Sequence, residues 1–253
     1  MKRIGRISIG VITAVLLLAC IIGGVWLVGK LRSPFEKTTI FAEEGMVCPP
    51  DTTFIANGIQ IKMIGIQKGK INCKGLKETI ELNEYYIGET EVTQELWMAI
   101  MGYNPSMNKD SILCPVENVD LVECLEFIHK LDSITGVDFN IQTYPQWLYT
   151  AHLGVCDDAS LYCDALDSVG WYKGNSGGKP HPVKQKKPNA LGIYDIIGNV
   201  SEWTISGSDP LFVVAGGGYE SDKSSCGIES HEFDHAHIKT GATGLRLVCY
   251  PKR

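Results

Sequence analysis

The sequence predicts an α+β domain, rich in loops, behind one N-terminal transmembrane helix. Three observations predict it. An uninterrupted apolar run opens the chain. Helical apolar stripes alternate with short strand patterns through the middle. Across the whole chain 27 glycines and 11 prolines mark frequent turns rather than a helical bundle.

The apolar run extends from Ile7 to Val28, 22 apolar or small residues behind Lys2, Arg3 and Arg6. At helical rise it spans roughly 33 Å, enough for a bilayer core. Positive charge ahead of it favours a cytoplasmic N-terminus and an exported body, with Lys30 and Arg32 as opposing charges. Residues 1–30 are therefore read as a membrane anchor or signal and 31–44 as a charged linker. Residues 45–253 are read as one domain of 209 residues, long enough for a substantial core. An alternative is a lipoprotein lipidated at Cys20 within Leu17-Leu18-Ala19-Cys20, although the chain stays apolar past that cysteine.

Within the domain, Phe54 to Ile66 alternates around Asn57-Gly58, a hairpin signal. Thr79 to Ile87 reads as a strand. Thr93 is the expected N-cap of a first helix carrying Leu96, Trp97, Ile100 and Met101 on one face, with Gly102 ending it. Asp120 to Leu131 is the second helix, striped by Leu121, Cys124, Leu125, Ile128 and Leu131. A shorter third helix is expected from Tyr144 to His152, with Pro145 in its first turn. Short strands are expected near Gly192–Ile196, Phe212–Ala215 and Gly244–Tyr250.

A net charge of −6 and no basic stripe argue against a nucleic-acid surface; Lys184, Lys186 and Lys187 make only a short cluster. Eight cysteines follow the apolar run, an even number compatible with disulfides in an exported domain. Cys156 and Cys163 flank a short acidic loop and are placed to pair locally. Free buried thiols are the other reading.

Two constellations carry possible metal chemistry. Asp195, Gly198, Val200 and Glu202 are spaced so that two carboxylates and two carbonyls can converge on a cation, and hard oxygens on a glycine-bent loop suit calcium. His231-Glu232-Phe233-Asp234-His235 fits His-Glu-x-x-His, with His237 as a third imidazole. On a helix that pattern binds zinc, but this one lies in a Gly- and Ser-rich tail without a helical stripe.

Several segments together resemble the formylglycine-generating enzyme (sulfatase-modifying factor) family. In order, they are Gly45-Met46-Val47, Tyr86-Ile87-Gly88-Glu89-Thr90-Glu91-Val92-Thr93-Gln94, Asn104-Pro105-Ser106 and Pro115-Val116-Glu117-Asn118-Val119. Trp171-Tyr172, Asn175-Ser176-Gly177-Gly178 and His181-Pro182-Val183 follow. Pro188 through Trp203, Gly216-Gly217-Gly218-Tyr219 and Gly244-Leu245-Arg246-Leu247 complete the set.

The resemblance implies a compact, C-type-lectin-like fold over residues 45–250. It also implies calcium at Asp195, Gly198, Val200 and Glu202. In catalytic members two cysteines hold copper as a thiolate pair. Those positions fall here on Ser221 and Cys226, the serine beside the copper on Gly218, and a cleft tryptophan on Ser201. A hydroxyl does not replace a thiolate for copper(I), so copper is not expected.

The reading that results is a divergent, non-catalytic member, anchored outside the cytoplasm and binding a protein or peptide partner. Cys226 is expected to be buried, or bonded to Cys124 or Cys249. The alternatives are an active oxidase that converts a sulfatase cysteine to formylglycine, and a metal-dependent enzyme built on His231, His235 and His237.

Overall fold

The computed structural model describes residues 38–42, 48–73, 79–154, 166–205 and 211–251. The expected anchor, Cys20, and the Cys156 and Cys163 pair lie outside these residues. Among the described residues no helix is long and apolar enough to cross a membrane.

The described residues form three small sheets with helices laid against them. Part of the expected linker is a strand, β1 (Thr38–Ala42). It pairs with β4 (Gly69–Cys73), which pairs with β5 (Ile80–Leu82). The hairpin forms as expected from β2 (Thr52–Ala56) and β3 (Ile59–Ile66). Its two turn residues take positive φ, 48° at Asn57 and 84° at Gly58, as the tight turn requires. The strand read through Thr79–Ile87 breaks at exposed Asn83 and Glu84, and its second half, β6 (Tyr85–Gly88), joins a different sheet.

That sheet is five-stranded, in the order β2, β3, β6, β12 (Leu247–Cys249), β7 (Phe139–Ile141), and antiparallel throughout. The third sheet orders β10 (His231–His235), β9 (Leu211–Ala215), β8 (Ser201–Thr204) and β11 (Thr243–Gly244), with β11 parallel to β8. The segment Gly192–Ile196 is not a strand. Gly192 and Asp195 have φ of 84° and 52°. The Asn189 side-chain oxygen accepts the Leu191 and Ile193 amides, which curls the chain into turns.

The three helices stand where the stripes put them. α1 (Gln94–Met101) is capped by the Thr93 hydroxyl. α2 (Leu121–Thr135) runs one turn longer than its stripe and starts at a reciprocal capping box between Asp120 and Glu123. α3 (Tyr144–Leu153) has the same device in Thr143 and Gln146, with Pro145 in its first turn. A single turn, α4 (Leu166–Val169), follows.

The core divides into two clusters. Trp97 stacks on Phe127 at 4.9 Å in the first, which also holds Trp203, Cys124 and Cys249. Trp147, Tyr149, Tyr85 and Cys226 lie in the second. That division decides between the two expectations for Cys226, which is buried and is not bonded to Cys124 or Cys249. Cys226 belongs to one cluster and Cys124 and Cys249 to the other, and all three are free thiols, as are Cys48 and Cys114.

Candidate functional site

The turn from Gly216 to Ser221 brings the four family-equivalent positions together. Gly217 is forced by its surroundings: its φ is 71°, and a Cβ there would sit 2.5 Å from the Ser225 carbonyl and 2.9 Å from the Cys226 sulfur. At Gly218 a Cβ would come within 3.1 Å of the Ser201 nitrogen. The Gly218 N–H donates to the Ser221 hydroxyl at 3.0 Å, and the Ser221 N–H donates back to the Gly218 carbonyl at 2.9 Å. Cys226 Sγ donates to the same carbonyl at 3.6 Å. Burial pushes the Cys226 thiol up to about 11, and a hydrogen bond from Ser221 offsets only part of that. The arrangement is a buried, protonated thiol beside a hydroxyl.

A buried polar cluster lies under the same loops. Arg246 and Glu202 are 0% and 1% exposed and pair directly, with Nε to Oε1 at 2.8 Å and Nη2 to Oε1 at 2.7 Å. Gln142 Nε2 donates to the other Glu202 oxygen at 2.5 Å. The guanidinium also donates to the carbonyls of Gly88 at 3.0 Å, Tyr194 at 2.9 Å and Asp195 at 3.2 Å. Glu91 accepts from the Val200 amide at 3.0 Å and from Asn199 Nδ2 at 2.8 Å. Burial pushes Glu91 well above the carboxylate range, and the neighbouring Asp195 charge adds to it. Burial also raises Asp195, to about 6, against the Lys184 amide that donates to its Oδ2.

Asp195, Gly198, Val200 and Glu202 therefore do sit around one buried cluster. As the side chains stand, three of the four carboxylate oxygens of Asp195 and Glu202 already accept hydrogen bonds from the protein. Both Glu202 oxygens and the Asp195 carbonyl are already taken by Arg246 and Gln142. Asp195 Oδ1 is the one carboxylate oxygen of this pair that is buried without a partner. Calcium asks for roughly six to eight oxygens.

Sequence reading missed Glu91, Gln142 and Arg246. Glu91 and Arg246 stood in quoted motif segments, and two buried charges of opposite sign in such segments were the available signal.

The His-Glu-x-x-His segment is strand β10, not a helix. Four residues along a strand separate His231 from His235 by roughly 13 Å, too far to share one metal. Among the described residues no group of three or more His, Cys, Asp or Glu is placed to hold a metal ion. His231 instead meets the Tyr144 hydroxyl through Nδ1 at 3.0 Å, while His235 and His237 are exposed. The zinc-enzyme alternative falls with this geometry.

Near the cluster, His181 stacks on Trp171 at 3.8 Å, and Lys186 lies over the same indole at 3.9 Å. Asn199 Oδ1 accepts the His181 amide at 2.9 Å, tying this loop to the Gly198–Val200 turn.

Capped helices, small sheets and this loop cluster define a scaffold shared with known proteins. The chain belongs to the sulfatase-modifying factor enzyme 1-like domain family, whose pattern it matches over residues 49–250. Among curated proteins, the chaperone protein LppX of Paenibacillus barcinonensis is 30% identical, over 50% of this chain and 63% of that protein. The chain thus spans just under two thirds of that relative's length. Among solved structures, Treponema denticola variable protein 1 is 28% identical with a TM-score of 0.71, covering 80% of this chain and all of that one. PvdO from Pseudomonas aeruginosa superposes at a TM-score of 0.67 with 15% identity, covering 81% of this chain and all of that one, which speaks to the fold alone.

Proposed function

We propose that this chain is a non-catalytic member of the family, held on the outer side of a membrane, that binds a protein or peptide partner. One observation carries the reading: where copper(I) would need two thiolates, there is one buried thiol, protonated at neutral pH, beside the Ser221 hydroxyl. A scaffold with a buried, closely packed loop cluster and no thiolate pair can still present loops to a partner. The relative named as a chaperone fits a binding role. Anchoring through Ile7–Val28, or through a lipid on Cys20, is part of the proposal and rests on the sequence.

The test is turnover. The chain is incubated with copper(I), oxygen and a peptide carrying the Cys-x-Pro-x-Arg motif, and aldehyde formation is followed by mass. No product is expected from the wild type. Product from the wild type would establish the oxidase instead.

A further inference from the structure

We propose that the Arg246 guanidinium is the built-in structural cation of this domain, at the place where the family resemblance puts calcium, and that the wild-type fold is indifferent to calcium. The argument rests on what the guanidinium holds. Arg246 is completely buried. It reaches Glu202 on β8, the Gly88 carbonyl at the end of β6, and the Tyr194 and Asp195 carbonyls in the turn that precedes β8. These are two parts of the chain far apart in sequence, the end of β6 and the stretch from the turn into β8, drawn onto one positive centre by oxygen acceptors. A structural calcium ion does the same with the same kinds of oxygen.

The fit is specific to a planar fork. Two nitrogens of one guanidinium engage one Glu202 oxygen, and the Nη groups diverge to carbonyls on either side. A lysine ammonium is a point charge and does not reproduce that geometry. The surroundings are shaped to it. A Cβ on Gly88 would come 3.4 Å from Arg246 Cγ and 2.9 Å from the Thr90 carbonyl, so only a glycine keeps that carbonyl against the guanidinium. Glu202 is fixed from its other side by Gln142 at 2.5 Å. A divalent ion at Glu202 and Asp195 would lie against a fixed positive group, in a site with low effective dielectric where like-charge repulsion is strong. The two cations are alternatives at this site.

The experiment compares melting of the full chain, purified in detergent, in excess calcium and in chelator. The wild type is expected to melt at the same temperature in both and to bind no stoichiometric calcium in equilibrium dialysis. Arg246→Met removes the charge but keeps the chain length. It leaves Glu202 Oε1 and the three carbonyls without the guanidinium donor, so its melting temperature falls sharply in chelator and rises by several degrees in calcium. One calcium per chain, read by dialysis, accompanies that rise. Arg246→Lys melts between the wild type and Arg246→Met in chelator. A wild type that gains stability from calcium would overturn the proposal. So would an Arg246→Met chain that fails to fold in calcium as well as in chelator, because the ion then does not take the guanidinium's place.

Discussion

Alkylation of Cys226 gives a quantitative test of the site. Burial moves this thiol from 9.0 to about 11. That step is two logarithmic units, so at any pH below both values the thiolate fraction is about a hundredfold smaller than for an ordinary cysteine. Only the thiolate attacks iodoacetamide. The native chain should therefore alkylate Cys226 at least about a hundredfold more slowly than a short cysteine peptide at the same pH. Steric cover, at 4% exposure, slows it further. Peptide mapping after a timed pulse reads the rate, with exposed Cys48 as the internal comparison. Unfolding in guanidinium chloride should restore the ordinary rate. A native Cys226 that reacts within about tenfold of the free peptide would mean that the thiolate is accessible and stabilised. The argument against a copper-binding centre would then fail.

Other expectations follow from the same contacts. Asp120→Ala removes half of the capping box on α2 and should cost about 1 kcal/mol in denaturant unfolding; no change would mean that tertiary packing alone starts the helix. Phe127→Ala empties the stack under Trp97 and should cost roughly 3–5 kcal/mol by the same assay. Burial holds His231 below its ordinary value, so the unfolded chain takes up the proton first. The stability this group contributes is present above about pH 6.5 and is lost as the pH falls below it. His231→Gln should flatten that part of the melting profile, and an unchanged slope would assign the pH dependence elsewhere. Ser221→Cys restores a second sulfur beside Cys226. It should raise copper(I) affinity, read by competition with a chelator, and an unchanged affinity would show that the loop cannot bring two sulfurs to one metal.

The sequence made the helices legible because each announces itself locally. Thr93, Asp120 and Thr143 are side-chain caps, and the apolar stripes follow within one turn. The hairpin was legible for the same reason, since Asn57-Gly58 admits few backbone conformations. The family's positions around Cys226 were also legible, because glycine turns fix their spacing. What was not legible depends on contacts between distant residues. Glu202 looks the same in sequence whether it faces a metal or Arg246, and 44 positions separate those two partners. His231 to His235 shows a helical metal motif that pairing with β9 overrides, turning it into a strand. Sheet membership was likewise hidden: Thr79–Ile87 reads as one strand, but its halves pair with different neighbours.

The position of β12 constrains the order of events when the chain is made. Leu247–Cys249 lies between β6 and β7, hydrogen-bonded to both. Until those residues emerge from the ribosome or the export channel, β6 and β7 have a gap between them, and the five-stranded sheet cannot close. Arg246, the residue just before β12, arrives at the same moment, so the buried Glu202 carboxylate gains its counter-charge only then. A chain delivered N-terminus first must therefore hold most of this domain unfinished until Arg246 to Cys249 are through. During that interval the exposed edges of β6 and β7 are open to wrong pairing.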